Sequence, residues 1–325
     1  MNLTATACLT RPASERTYQY SVYGVWVTSD VPFNFPTRGH PAHALAHVEF
    51  VHCAEENFLE STHSQNEVSD AWFTCRPLPD GSIYLRWAGL FEFRVDRTGS
   101  RVAYRPLDNC DGTVLQNFLF GQALSVALVQ QGIEPVHAAV VSVDAGVIGF
   151  LGDCTFGKST LAASFLPFGH RLLTDDLLVI ENRAGQPIAL PGTGRIKLQP
   201  DSARALLGDS GQGAPLNPKT TKRVFELRDD RAQRTGLPLR ALFVLPPPEQ
   251  RDRSRSTEIR PLSRTEVFHE LVRNSFHEEI NDPSRLKRHF AHASYLASAV
   301  KGYGLQYPKG FEHLPTLREA LKEIL

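Results

Sequence analysis

Residues 148–165, IGFLGDCTFGKSTLAASF, constrain the fold of this chain more than any other stretch. They set Gly152, Asp153, Cys154, Thr155, Phe156, Gly157, Lys158 and Ser159 in the order Gly-x-x-x-x-Gly-Lys-Ser. Two glycines let the backbone turn so that successive N–H groups point inward, forming an anion nest ahead of a helix. A lysine in that place reaches the outer phosphates of a nucleotide, and the hydroxyl that follows ligates a Mg²⁺ bridging them. The flanks suit such a loop. Residues 140–143 and 147–151 read as short buried strands around a turn at Asp144-Ala145-Gly146, and 159–166 reads as a helix ended by Pro167 and Gly169. A strand, a phosphate loop and a helix in succession commit this part of the chain to an α/β fold. Gly152 through Thr160 are then the residues expected to contact the nucleotide.

A chain of 325 residues can bury a good core and is expected to form two domains, or one with a large extra lobe. Lys plus Arg equals Asp plus Glu at 35 each, so no overall field favours nucleic acid or an anionic membrane. Any phosphate site must therefore be local. No run approaches the ~18 apolar residues of a membrane span, and the N-terminus lacks the basic and apolar regions of a signal peptide, so a cytoplasmic location is expected. The five cysteines, Cys8, Cys53, Cys75, Cys110 and Cys154, form no C-x-x-C pair and read as reduced thiols.

Residues 1–112 read as a β-rich N-terminal lobe: YQYSVYGVWV is dense in aromatic and β-branched residues, and 82–106 alternates apolar and polar around a turn at Thr98-Gly99. Residues 113–132 read as a buried connecting helix that Gly132 ends. Residues 133–325 form the domain that carries the loop. Within it GHRLLTDDLLVIE reads as a central strand and its continuation, followed by strands in RIKLQP, KRVFEL and LRALFVLPPP and a loop at 208–221. PPPEQRDRSRST reads as an exposed connection, and helices are expected near 265–274, over 285–301 and at the end of the chain.

Three acid–base residues fall at informative distances from the loop. His137 lies 21 residues before Lys158, at the start of the strand leading to the loop, and Asp175 and Asp176 lie 17 and 18 after it. In an open parallel sheet, ligand chemistry gathers at the carboxyl ends of strands, where the aspartates would share a crevice with the loop. Phosphoryl transfer needs one acid to help hold Mg²⁺ and another to accept the proton of the attacking hydroxyl. Two adjacent carboxylates also repel, which makes one the better proton acceptor. Among the basic residues Arg195, Lys197, Lys222 and Arg223, Arg195 and Lys222 are the preferred pair to reach nucleotide or substrate. His40, His43, His47 and His52 cluster without a ligand spacing and read as a loop entering a strand.

The segments VHAAVV, GDCTFGKST and GHRLLTDD follow one another as do the strand, P-loop and aspartate segment of the HPr kinase/phosphorylase superfamily, which the chain resembles over roughly residues 133–181. A looser resemblance, to HPr-kinase-like proteins found beside peptide-modification gene clusters, rests on YGVWVTSDVPF, GTGRIKLQPDSARALL and LQYPKGFEHLPTLREAL. The resemblance implies a P-loop HPr-kinase-like core behind the β-rich lobe and an ATP- and Mg²⁺-dependent serine or hydroxyl kinase. It makes His137 an active-site histidine, Lys158 a phosphate ligand, Ser159 a Mg²⁺ ligand and Asp176 the proton acceptor. Asp175 is assigned to Mg²⁺ or its waters from the chemistry of the pair. The acceptor would be a peptide, a small protein or a metabolite, and self-association is implied. One departure is visible: where the bifunctional enzymes carry a Mg²⁺-binding glutamate in a second signature, ALPGTGR places Ala189, which points to a kinase without the reverse activity. A small-metabolite kinase and a non-catalytic, nucleotide-gated regulator are the alternative expectations.

Overall fold

In the computed structural model, residues 17–33, 43–55, 58, 71–107, 111–208, 213–253, 256–276, 280 and 282–324 are described. Cys8, Cys110, His40 and part of the 208–221 loop lie outside them. The chain divides into two units, residues 1–21 with 25–131, and residues 22–24 with 132–325. Both sheets and helices are present, and the chain is a mixed α/β protein.

The first unit contains a seven-stranded sheet. Its strands are β1 (Tyr18–Val22), β2 (Val25–Ser29), β3 (Ala46–His52), β4 (Phe73–Pro77), β5 (Ile83–Trp87), β6 (Phe91–Val95) and β7 (Arg101–Pro106), in the order β1-β2-β3-β7-β6-β5-β4. β4 to β7 form an antiparallel meander, whereas β3 runs parallel to both β2 and β7. Helix α1 (Gly112–Gln130) starts at Asp111, whose carboxylate accepts from the N–H groups of Thr113 and Val114, and widens into one π-turn at Leu119–Ala123. Its aromatic residues meet the sheet, with the Phe118 ring 4.8 Å from Trp87 and the Phe120 ring 5.2 Å from Phe50. By length and composition these 19 residues are apolar enough to cross a membrane, which corrects the expectation that no such run exists. Most of the helix is nonetheless buried within the protein, because it covers an apolar sheet face.

The second unit begins with β8 (Val136–His137), β9 (Ala139–Val143) and β10 (Gly146–Leu151), continues after helix α2 (Lys158–Ala163) with β11 (Leu172–Thr174), β12 (Leu177–Leu178), β13 (Ile180–Arg183), β14 (Gln186–Ala189) and β15 (Arg195–Leu198), and then enters helix α3 (Pro200–Leu207). β16 (Ala214–Pro215), β17 (Arg223–Glu226) and β18 (Leu237–Val244) follow, then α4 (Pro248–Arg253), β19 (Glu258–Pro261), α5 (Arg264–Arg273), α6 (Pro283–Ala299), β20 (Lys301–Gln306) and α7 (Leu314–Lys322). The main sheet runs β11-β9-β10-β18; the far edge of β18 pairs with β14 at its start and with β20 at its end. β10 is buried along its whole length, as a strand covered on both faces must be. Phe150, Phe165, Phe243 and Leu161 pack on one side of the sheet, and Val140, Leu151, Leu242 and Leu296 on the other. Burying each such side chain contributes about 2 kcal/mol.

Three expectations need correction here. The sheet is mixed, since β10 is antiparallel to β9 and parallel only to β18. β11 is the outermost strand of its sheet and not a central one, its outer side bonded to residues 231–233. It cannot run on, because Asp176 adopts a left-handed backbone (φ 78°) that breaks the ladder before β12. His137 lies in β8, which pairs with β12 in a separate ribbon; the chain bends at Ala138, whose N–H donates to the Asp176 carbonyl at 3.1 Å, before β9 begins. Two smaller differences concern the C-terminal part, where α4 starts within the expected exposed connection and β15, β17 and β16 form a sheet of their own.

Candidate active site

β10 delivers the chain to the glycine-rich loop, where Gly152 (φ 139°) and Gly157 (φ 92°) take up conformations that side-chain-bearing residues rarely adopt. A Cβ at Gly157 would also lie 2.9 Å from a guanidinium nitrogen of Arg251, which would have to shift. The Gly152 N–H donates to Oδ1 of Asn274 at 2.9 Å, which ties the loop to the end of α5. Lys158 is buried, and its ammonium donates to the carbonyls of Gly152 (2.6 Å) and Asp153 (3.1 Å). Burial lowers its pKa.

β11 runs in the same direction as β10, since both are antiparallel to β9, and so its end brings the two aspartates beside the loop. The carboxylate of Asp175 is buried, with Oδ1 accepting from the Ser159 hydroxyl and Oδ2 from the Lys197 N–H, both at 2.8 Å. Asp176 points its carboxylate elsewhere: Oδ2 is ion-paired with the Lys197 ammonium, and Oδ1 lies 3.9 Å from Nε2 of His137. Burial and then the charge of its neighbour push Asp175 above the ordinary carboxylate range. Burial would push Asp176 the same way, but Lys197 and then His137 more than reverse it, and it titrates below that range. His137 falls to about 4, through burial and then the nearby Lys158. At neutral pH the pair therefore divides into an ionised Asp176 that faces outward and a buried Asp175 that is the harder of the two to ionise.

Asp176 and His137 line a cleft of about 170 Å³, in which Lys158, Lys197 and Lys222 stand around them. Cys154, Thr155, Ser159 and Thr160 also line it. Asp153 and Arg195, both expected in the site, turn to other partners, and Gly152 and Phe156 do not line the cleft. Asp153 turns to Arg273, at 2.7 Å. Arg195 is directly opposite Glu226 across the β15–β17 ladder and pairs with it at 2.8 Å, so the position beside the aspartates passes to Lys197, two residues on. Ala189 is fully buried in β14 opposite Leu237, and supplies no acid.

Sequence reasoning missed Asn274 and Arg251. Asn274 is almost fully buried, and besides holding Gly152 it accepts from the His137 N–H through its carbonyl, at 2.7 Å. Loop and histidine thus share one anchor. Arg251 reaches Gly157 from α4 while its guanidinium donates to the Tyr307 hydroxyl at 3.2 Å. Neither carries a local signal, since each lies about 100 residues from the loop and belongs to no motif.

Among the described residues, no group of three or more His, Cys, Asp or Glu side chains is arranged to hold a metal ion. Mg²⁺ does not require one. It keeps several waters and takes one or two carboxylates together with substrate phosphates. The adjoining Ser159 hydroxyl and Asp175 carboxylate are oxygen donors of that kind, so the residues fit Mg²⁺.

No family model matches the sequence, and no curated protein matches it. Among solved structures, the chain is similar to one described as the structure of the Hpr(Ser) kinase/phosphatase from Coxiella burnetii. The two are 16% identical with a TM-score of 0.31, over 57% of this chain and 92% of that chain. At that distance the site has to be understood from its own geometry.

Proposed function

We propose that this chain is an ATP-dependent kinase of the HPr-kinase type that transfers the γ-phosphoryl group to a hydroxyl, with a serine of a peptide or small protein as the first expected acceptor. One observation carries the proposal: an ionised carboxylate, Asp176, opens onto the same small cleft as Lys158, while its neighbour Asp175 is bonded to Ser159 behind it.

In the transfer, Asp176 accepts the proton of the acceptor hydroxyl as that oxygen bonds to the γ-phosphorus; the bond from the γ-phosphorus to the bridging oxygen breaks, and ADP leaves. Lys158 and Lys222 offset the charge on the transferring group. Lys197 holds Asp176 by Oδ2, while Nε2 of His137 stands 3.9 Å from Oδ1. Ser159 and Asp175 would hold Mg²⁺, which supplies charge neutralisation across the outer phosphates.

The test is transfer of labelled γ-phosphate by the purified protein to a small-peptide extract of its source cells, beside Lys158→Ala. Label on a peptide with the intact protein, and about 10²-fold or more less with the variant, is expected. A fully active Lys158→Ala protein would sink the proposal. ADP release without any acceptor would indicate a nucleotide-gated regulator, and label on a small molecule a metabolite kinase.

A further inference from the structure

A second cavity, of about 360 Å³, opens on the other flank of the same loop, at the carboxyl ends of β10, β18 and β20. Open α/β sheets bind ligands in such a crevice. Gly152 and Phe156 form its loop side, Leu245, Pro246 and Pro247 its strand side, and Glu270 of α5 faces them. We propose that this cavity receives the base and ribose of the phosphoryl donor, an inference that rests on the kinase assignment above.

The two cavities differ in the way the two ends of a nucleotide differ. The cleft at Asp176 has three lysines, hydroxyls, a single acid and the His137 imidazole for walls, with no Phe, Tyr, Trp or aliphatic side chain on which a base could lie. At about 170 Å³ it is also below the 300–1,000 Å³ usual for small-molecule sites, whereas the second cavity is within that range. The second has the expected mixture of an apolar wall and a few polar groups. Its wall includes the ring of Phe156, a residue of the loop itself, folded so closely over Gly152 that a Cβ there would come within 3.0 Å of it. Anything stacked on that ring lies next to the loop that holds the phosphates.

Between the cavities stands Arg251. It follows the Pro247–Gln250 wall of the second cavity and places its guanidinium against Gly157, which lines the first. Its Nε is buried without a hydrogen-bond partner, and its guanidinium is held between Gly157 and the Tyr307 hydroxyl. Glu270 supplies the acceptor at the nucleoside end. It is half-buried, and burial pushes its carboxyl upward while Arg273 draws it back. A carboxylate so placed accepts from ribose hydroxyls or from an exocyclic amine.

Calorimetric titration with ATP and with inorganic tripolyphosphate, each with Mg²⁺, tests the assignment on the wild-type chain, Glu270→Ala and Gln250→Trp. Gln250 is an exposed residue at the rim, where a tryptophan fills the cavity without entering the core. The wild type should bind ATP at least about tenfold more tightly than tripolyphosphate, and both variants should lose about tenfold for ATP while holding tripolyphosphate unchanged. Unchanged tripolyphosphate binding also shows that the variants are folded. Equal affinity of the wild type for the two ligands, or undiminished ATP binding by Gln250→Trp, would overturn the cavity assignment alone. Binding of neither ligand would remove the kinase assignment and this one with it.

Discussion

Lys197 sets the resting state of the carboxylate that matters most. Its ammonium pairs with Asp176, and the resulting low pKa keeps Asp176 ionised but also makes it a weak base. Charge brought in by a phosphate group would compete for that ammonium and return basicity to Asp176. Asp176→Asn should accordingly keep Mg-ATP affinity within about threefold and lower the rate of a single turnover by about 10²–10⁴-fold. Calorimetry and rapid-quench measurement check the two halves, and a wild-type rate would refute its role as base. The candidate residues split by how they were found. Lys158, Ser159, Asp175 and Asp176 were legible because their spacing along one strand-loop-helix-strand unit dictates their proximity. Lys197 was among the basic residues weighed, but choosing it over Arg195 required knowing that Glu226 lies across the ladder from Arg195.

At the level of elements, α5 holds the loop in place. Ser263 caps its start, with Glu266 bonding back to complete a capping box, and Asn274 at its end carries the bonds to Gly152 and to His137. Replacing Asn274 with Ala would leave the buried Gly152 N–H unpaired and should cost about 1–3 kcal/mol in urea unfolding. An unchanged midpoint and slope would show that the loop does not depend on this anchor. Strand and helix positions were readable from period and caps: β9, β10, α1, α5 and α6 fall within a few residues of their expected places. The place of β11 was not. Apolar residues on both sides of two aspartates suit a central strand and an outermost one alike, and only pairing decides between them.

For the whole molecule the charges balance, and the site contributes two groups through which pH acts on stability, His137 and Asp175, beside others elsewhere such as His292 and Asp80. His137 falls from the ordinary 6.5 to about 4, so between those values the unfolded chain binds a proton that the folded chain refuses. Stability therefore declines as pH falls through that window, by up to about 3 kcal/mol from this group. Asp175 acts in the opposite sense: folding raises its pKa, so the folded chain takes up a proton first and recovers some stability on the acid side. Comparing wild type with His137→Gln isolates the first effect, since their difference in unfolding free energy should shrink in favour of the variant from pH 7 to 4.5. A difference independent of pH would show a histidine that titrates normally. By itself the sequence determined the α/β character of the second unit, the loop and its adjacent aspartates, and the β-rich first unit, because each follows from residues that neighbour one another in the chain. Only the tertiary structure decided that the sheet is mixed, that Lys197, Asn274 and Arg251 join the site, and that a second cavity flanks the loop. Those depend on which distant segments pack together, and packing is chosen by the sum of many small burial and pairing terms that no short stretch of sequence contains.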